Sequence, residues 1–251
     1  MRTETEGIVL RRQKISEKTQ MITLFTRDFG KISAGTNLSE GRNRNQPALH
    51  AFTYGRYELN KSRENYFINK AETVKSYYSL AEDPDLFFHA SYALEFTNKV
   101  LEEGVPEQGV YGALADFLQM VEKRRKGIGT LVLAYQAKVI SYMGHAPVLD
   151  ECAICGRKKE AHKFSVGDGG VICRDCYEET YVNPVKTTED SLIYDLKFDI
   201  VNVLKYFTSN PMRNLERIAL REDTGKELQR IVRAYAAYYL EASDLKSEEL
   251  I

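Results

Sequence analysis

The hydrophobic pattern of the chain changes period near residue 80. Before that point apolar residues come in short runs set between turn-forming residues. Gly7-Ile8-Val9-Leu10 ends at Arg11-Arg12, and Met21-Ile22-Thr23-Leu24-Phe25-Thr26 is β-branched and aromatic, the composition favoured on a pleated surface. Asp28-Phe29-Gly30 supplies a turn before Lys31-Ile32-Ser33-Ala34. Residues 35–47, rich in Gly, Asn and Ser, read as a loop. Ala51 to Lys61 and Tyr66 to Tyr78 are two further strands joined by Ser62-Arg63-Glu64-Asn65. Five short strands in this length predict a small closed barrel, of which the OB-fold is the common five-strand form.

From Asp83-Pro84 onward the spacing is helical. Asp83 suits an N-cap and Pro84 the first helical position. Leu86, Ala90, Ala93, Leu94, Thr97 and Leu101 form an apolar stripe. A second helix carries Val110, Leu114, Phe117, Leu118 and Val121, and a third runs through Leu131, Tyr135, Val139 and Tyr142 to Gly144. After Pro184, Thr187 and Asp190 resemble a capping box for a helix through Leu192, Leu196, Ile200, Val203 and Phe207. A last helix places Leu228, Ile231, Val232, Tyr235, Tyr239 and Leu240 on one face. Three helices before residue 148 and two or more after residue 182 are expected to pack as one bundle.

Between them stand all four cysteines, Cys152-Ala-Ile-Cys155 and Cys173-Arg-Asp-Cys176, with seventeen residues separating the pairs. Two C-x-x-C turns at this separation match the spacing of a tetrathiolate zinc site, since each turn aims two sulfurs at one metal. The glycines around them, Gly156, Gly167, Gly169 and Gly170, suit the tight turns required. Two disulfides are the competing chemistry, but the polar start Met-Arg-Thr-Glu-Thr-Glu does not read as a secretory leader, and a cytoplasmic setting is expected. A redox C-x-x-C belongs at the start of a helix in a βαβ setting. A catalytic zinc keeps an open position, which four thiolates do not leave, so His145 and His162 read as surface residues and the zinc as structural, one per chain.

Charge adds one thing that the net value of −1 hides. Residues 1–77 hold 14 Lys+Arg against 8 Asp+Glu, and the remainder 21 against 28. A basic barrel points to an anionic partner such as nucleic acid, with a solvated basic surface as the alternative. Arg42 and Arg44 in the Gly/Asn loop, with Lys31 nearby, are candidates to grip phosphates. On the next strand Tyr54 and Arg56 share one face and Tyr57 takes the other, so Tyr54 and Arg56 interleave an aromatic and a basic group as single-strand binding requires. Any one of these tyrosines also suits the barrel core. No phosphate-binding G-x-x-x-x-G-K-[ST], dinucleotide fingerprint, H-E-x-x-H or nucleophile elbow occurs, which favours binding over catalysis. An interaction adaptor held by zinc is the alternative class, and a zinc hydrolase a third.

The expected fold is therefore α+β: an N-terminal OB-fold β-barrel (1–80), then an all-α helical domain (81–147 and 183–251) with an inserted four-cysteine zinc module (148–182). In three places the chain resembles the RecO family of bacterial recombination mediators. Gly7-Ile8-Val9-Leu10, Glu17-Lys18 and Leu24 to Lys31 are similar to the family's opening strands, and Ser91-Tyr92-Ala93-Leu94-Glu95 to the start of its helical domain. Gly144-His-Ala-Pro147, Cys152-x-x-Cys155-Gly156, Phe164-Ser165, Gly169-Gly170 and Cys173-x-x-Cys176 match its zinc-bearing branch. The resemblance implies binding of single- and double-stranded DNA, annealing of complementary strands, work with RecR, and loading of RecA onto strands coated by the single-stranded-DNA-binding protein SSB. It also implies contact with the SSB tail, acidic and apolar at its end, for which Lys123-Arg124-Arg125-Lys126 is the candidate dock; the same cations also suit the C-terminal end of their helix. The family's basic run after Gly35 is replaced here by Thr36-Asn-Leu-Ser-Glu40 before Arg42 and Arg44.

Overall fold

A computed structural model of the chain describes residues 2–17, 19–38, 46–63, 65–124, 126–182, 192–197 and 199–247. The chain divides into two compact units, Met1–Ile128 with Leu245–Ile251, and Gly129–Asp244.

In the first unit β1 (Arg2–Lys14), β2 (Gln20–Thr26), β3 (Gly30–Thr36), β4 (Thr53–Ser62) and β5 (Asn65–Ser76) close into a barrel in the order β1-β2-β3-β5-β4. The five-strand barrel read from the sequence is present. β3 and β5 pair in parallel through Ala34–Tyr66 and Gly35–Phe67, and the other neighbours are antiparallel. β1 serves two partners, with Arg2–Ile8 against β4 and Gly7–Lys14 against β2. A register shift between Val9 and Arg11 bends it between them. Val9, Ile22, Leu24, Ile32, Tyr57, Leu59 and Ile68 fill the interior, and the Tyr57 hydroxyl donates to the Ala48 carbonyl at 2.6 Å.

Two helices belong to this unit. The Asp83 carboxylate accepts the N–H groups of Asp85 and Leu86 at 3.0 and 3.4 Å, capping α1 (Pro84–Val100) as the sequence predicts. α2 (Gln108–Lys123) brings Tyr111 edge-on to Phe25 of β2, centroids 5.3 Å apart. This cover explains why Gly7 to Leu10 are buried without alternation: both faces of β1 are dry there. The link after α1 lies along the part of β3 that β5 does not reach. Gly104 N–H donates to the Lys31 carbonyl at 2.8 Å, and Ser33 N–H to the Glu103 carboxylate at 3.2 Å. That covers an otherwise open strand edge. Gly30 makes the approach possible, with φ +66° and no room for a side chain: a Cβ would lie 2.1 Å from the Val105 carbonyl oxygen.

The second unit holds most of α3 (Ile128–Tyr142), then a three-stranded sheet with α4 (Arg174–Tyr177) beside it, then α5 (Ile200–Ser209) and α6 (Glu222–Leu240). The sheet order is β7-β6-β8, from β6 (Lys163–Ser165), β7 (Gly170–Ile172) and β8 (Ile193–Asp195). One expectation is corrected here. Leu192 and Leu196 do not continue the helix of Ile200; Ile193–Asp195 pairs with β6, and the helix starts at Ile200. The four-residue spacing of those leucines mimics a helical stripe while the backbone takes its hydrogen bonds from a neighbouring strand. The proposed cap at Thr187 and Asp190 lies outside the described residues. A second difference concerns the helices: α1 and α2 share a compact unit with the barrel, and α5 and α6 share one with the cysteines. α3 is tied to the later helices, because Thr130 Oγ1 accepts the Leu220 N–H at 3.1 Å and the Lys138 ammonium donates to the Thr208 carbonyl at 2.7 Å.

Candidate metal centre and nucleic-acid surface

The first cysteine turn is closed by two backbone bonds, Gly156 N–H to the Cys152 carbonyl at 2.8 Å and Cys152 N–H to the Arg157 carbonyl at 3.0 Å. Gly156 takes φ +67°, a conformation that side chains resist. The second turn runs from the end of β7 into α4, with Tyr177 N–H donating to the Cys173 carbonyl at 3.0 Å. The four cysteines are free thiols, and their Sγ atoms all lie within 4.8 Å of one another. A tetrahedron of metal–sulfur bonds needs sulfurs about 3.8 Å apart, so this set can hold a metal ion with small adjustment. Cys152, Cys173 and Cys176 are buried and Cys155 is half-exposed.

The electrostatics suit a cation. The Arg157 backbone N–H and guanidinium pull the Cys155 thiol down to about 6. Burial raises Cys152, but backbone N–H groups of Cys155, Cys173 and Ile154 outweigh it and leave the thiol lowered. Burial and the neighbouring sulfurs push Cys176 up. Three or four sulfurs so close cannot all carry charge without a cation to neutralise them. His145 packs against Tyr239 and His162 against Tyr177, centroids 5.1 and 5.3 Å apart, and neither belongs to the cluster. Helix α6 fixes the hairpin that carries the second turn. The Tyr239 hydroxyl donates to the Val166 carbonyl at 2.9 Å and that of Tyr235 to the Gly169 carbonyl at 3.3 Å.

The candidate DNA residues fall in different settings. Lys31 turns its ammonium to the C-terminal end of α1, donating to the Asn98 carbonyl at 2.8 Å; burial lowers its pKa. Tyr54 and Arg56 do share the outer face of β4, and Glu6 of β1 joins them. The Tyr54 hydroxyl donates to the Glu6 carboxylate, and the Arg56 guanidinium lies 3.5 Å from it. Burial and Glu6 raise the Tyr54 phenol to about 12. Tyr57 faces inward and is fully buried. Along this face Arg2 pairs with Glu58 and Lys70 with Glu72, so charges of both signs alternate. Arg42 and Arg44 lie outside the described residues. Lys123 ends α2, Arg124 follows as its C-cap with Nε donating to the Lys126 carbonyl at 2.6 Å, and Arg125 is outside the described residues.

Sequence reasoning missed several exposed aromatics, and Phe67 is the one on the barrel face. Phe67 of β5 stands outward beside Gly35 of β3, where Tyr66-Phe67-Ile68 gives three apolar residues in a row and hides which of them faces out. No helix among the described residues is long and apolar enough to cross a membrane.

Two family models match the chain, Recombination protein O N terminal over residues 1–77 and Recombination protein O C terminal over residues 81–249. Among curated relatives, the DNA repair protein RecO of Caldanaerobacter subterraneus subsp. tengcongensis is 33% identical, the match covering 98% of this chain and 96% of that protein. The protein of the same name from Alkaliphilus metalliredigens is 28% identical over 100% of this chain and 98% of its own length. That of Bacillus pumilus is 26% identical over 95% and 90%. With the barrel under the first model and the cysteine cluster under the second, the chain belongs to the RecO family.

Proposed function

We propose that this chain is a DNA repair and recombination mediator that binds single- and double-stranded DNA and anneals complementary strands without chemistry of its own. The observation that carries this reading is the match to DNA repair proteins over 98% of the chain, joined to a barrel built from its most basic segment. Annealing requires two polyanions to approach. Arg42 and Arg44 grip phosphates, while Arg56, by offsetting Glu6, keeps the outer face of β4 from repelling the strand. Lys31 and Tyr54 contribute by holding the barrel face in shape. Cations displaced from the DNA drive the association, so affinity falls with salt.

The metal is zinc, one per chain, held by Cys152, Cys155, Cys173 and Cys176. Soft thiolates suit zinc, and four of them leave no position for a water, so its task is structural. The protein works in the bacterial cytoplasm on the nucleoid, with RecR, and helps RecA load onto strands coated by SSB. The SSB tail docks on Lys123, Arg124, Arg125 and Lys126.

The test is annealing of complementary oligonucleotides by the purified chain without ATP, with and without SSB. Annealing in both conditions is expected. A chain that binds neither strand nor duplex, yet still captures RecR, would instead be a zinc-held adaptor, a reading favoured by the acidic excess after residue 77.

A further inference from the structure

The outer surface of the barrel is not uniform. Around β1, β4 and β5 it is a ladder of paired charges, with Arg56 against Glu6 and Lys70 against Glu72. Across β2, β3 and β5 the register sets Met21 beside Gly35 and Gly35 beside Phe67, with Asn60 beyond on β4. Neighbours in register point to the same side of a sheet, and none of these four carries charge.

Phe67 is 37% exposed in the middle of this uncharged row. An aromatic ring left in water on a strand forgoes the burial that favours it elsewhere in the barrel. Gly35 keeps the ring's flank open: a Cβ there would touch Phe67 Cδ2 at 3.4 Å, so any larger residue would lie against the ring. Turns on either side of this row bring cations. Lys14 ends β1, and Lys61 and Arg63 stand at the β4–β5 hairpin, all three exposed. The Lys61 ammonium sits 5.1 Å from the centre of the ring of Tyr66, its partner across the hairpin, and both lie on the face opposite Phe67. Arg63 takes φ +53°, which turns the hairpin tightly.

A flat π-face in an uncharged strip, bordered by cations, matches the chemistry of a single strand, whose bases present π-faces and whose phosphates run alongside. A duplex offers no unstacked base to such a ring. OB-fold barrels bind oligonucleotides with this kind of surface, on a strand face next to the loops that join strands one to two and four to five. We propose that Phe67 is a base-stacking platform for single-stranded DNA, with Gly35 as the gap that admits the base and Lys14 and Arg63 of the flanking turns as phosphate contacts. This rests on the DNA-binding reading and deepens it, since it assigns the recognition of unstacked bases to one side chain.

The protein has no tryptophan, so Phe67→Trp installs a single reporter without removing the aromatic face. The full-length variant is titrated with a fluorescein-labelled oligothymidylate and, separately, with a duplex of the same length. Anisotropy reports binding, and tryptophan emission reports stacking. Saturable quenching by the single strand in step with the anisotropy rise is expected, with little quenching by bound duplex. Phe67→Leu, which keeps an apolar surface residue, is expected to weaken single-strand binding by about 5- to 150-fold and leave duplex binding within about twofold. Anisotropy that rises while tryptophan emission stays constant overturns the platform and leaves DNA binding standing. Equal losses for strand and duplex in Phe67→Leu do the same. No anisotropy change with either DNA overturns both readings.

Discussion

The backbone N–H of Cys173 points at the sulfur of Cys152 across 3.4 Å, so the second cysteine turn is aimed by the first. This bond also favours the thiolate of Cys152. Metal analysis of the purified chain is expected to give one zinc per molecule, lost in Cys152→Ser. Without the ion the four sulfurs repel or reprotonate, and β6 and β7, three residues each, cannot hold their pairing alone. Hydrogen exchange after chelation should therefore accelerate at Phe164 and Val171 while β1 to β5 keep their protection. Unchanged exchange at the module would remove the structural role.

Gly30 and Val105 make a second prediction. The glycine needs φ +66°, and its Cα has Val105 backbone where a methyl group would go, 2.1 Å from the oxygen. Gly30→Ala should cost about 2–4 kcal/mol, combining a left-handed conformation with a clash that only backbone movement relieves. Urea unfolding measures it. By contrast Gly112→Ala, which meets nothing within 4 Å on the surface of α2, should be neutral or stabilising by up to about 1 kcal/mol.

A pH-dependent prediction concerns Glu95 of α1, whose carboxylate accepts the N–H groups of Lys246 and Ser247 at 3.0 and 2.9 Å. Burial raises its pKa, but the Ser247 hydroxyl, both N–H groups and the Lys246 charge outweigh that and leave it lowered from 4.5. A carboxylate with a depressed folded pKa stabilises at pH above its unfolded value and loses that contribution as pH falls through the folded one. The attachment of residues 246–247 to α1 is thus complete at neutral pH and is lost across the acidic range in which the lowered folded pKa of Glu95 is crossed. Amide exchange at Ser247, corrected for its intrinsic pH dependence, should quicken over that range, and Glu95→Gln should quicken it at pH 7.

Much of this was legible in the sequence because local rules and tertiary context agree. The Asp83 cap, the five strands and the paired C-x-x-C turns each depend on neighbours a few residues away. What escaped depends on distant backbone. Leu192 and Leu196 look helical until β6 supplies a partner for Ile193–Asp195. Gly7 to Leu10 show no alternation because helices many residues on cover the outer face, Phe87 and Leu94 of α1 beside Leu10 and Tyr111 of α2 against the neighbouring Phe25. The DNA residues divide similarly. Arg56 and Tyr54 were read onto one face, which is where they stand, but their tie to Glu6 follows only from the β1–β4 register. Phe67 is hidden by its apolar neighbours Tyr66 and Ile68, and only its pairing with Gly35 and Asn60 sets it on the outer face.

That tie to Glu6 separates two kinds of arginine. A cation that touches phosphate releases about 0.7 counterions on a single strand and about 0.9 on a duplex, and removing it flattens the plot of log affinity against log salt by that amount. Replacing Arg42 and Arg44 together by alanine should flatten the slope by about 1.4 on oligothymidylate and about 1.8 on duplex, with the melting temperature unchanged. Arg56 lies 3.5 Å from the Glu6 carboxylate and pairs in register with Glu72. Its removal uncovers two carboxylates rather than a phosphate contact. Arg56→Ala should therefore weaken binding at low salt and leave the slope nearly as it was, the gap closing as salt screens the uncovered acids. Glu6→Gln in the same background should restore part of the lost affinity. A slope that falls by about 0.7 in Arg56→Ala would instead put its guanidinium on the DNA, and an unchanged slope in the double variant would take Arg42 and Arg44 off it.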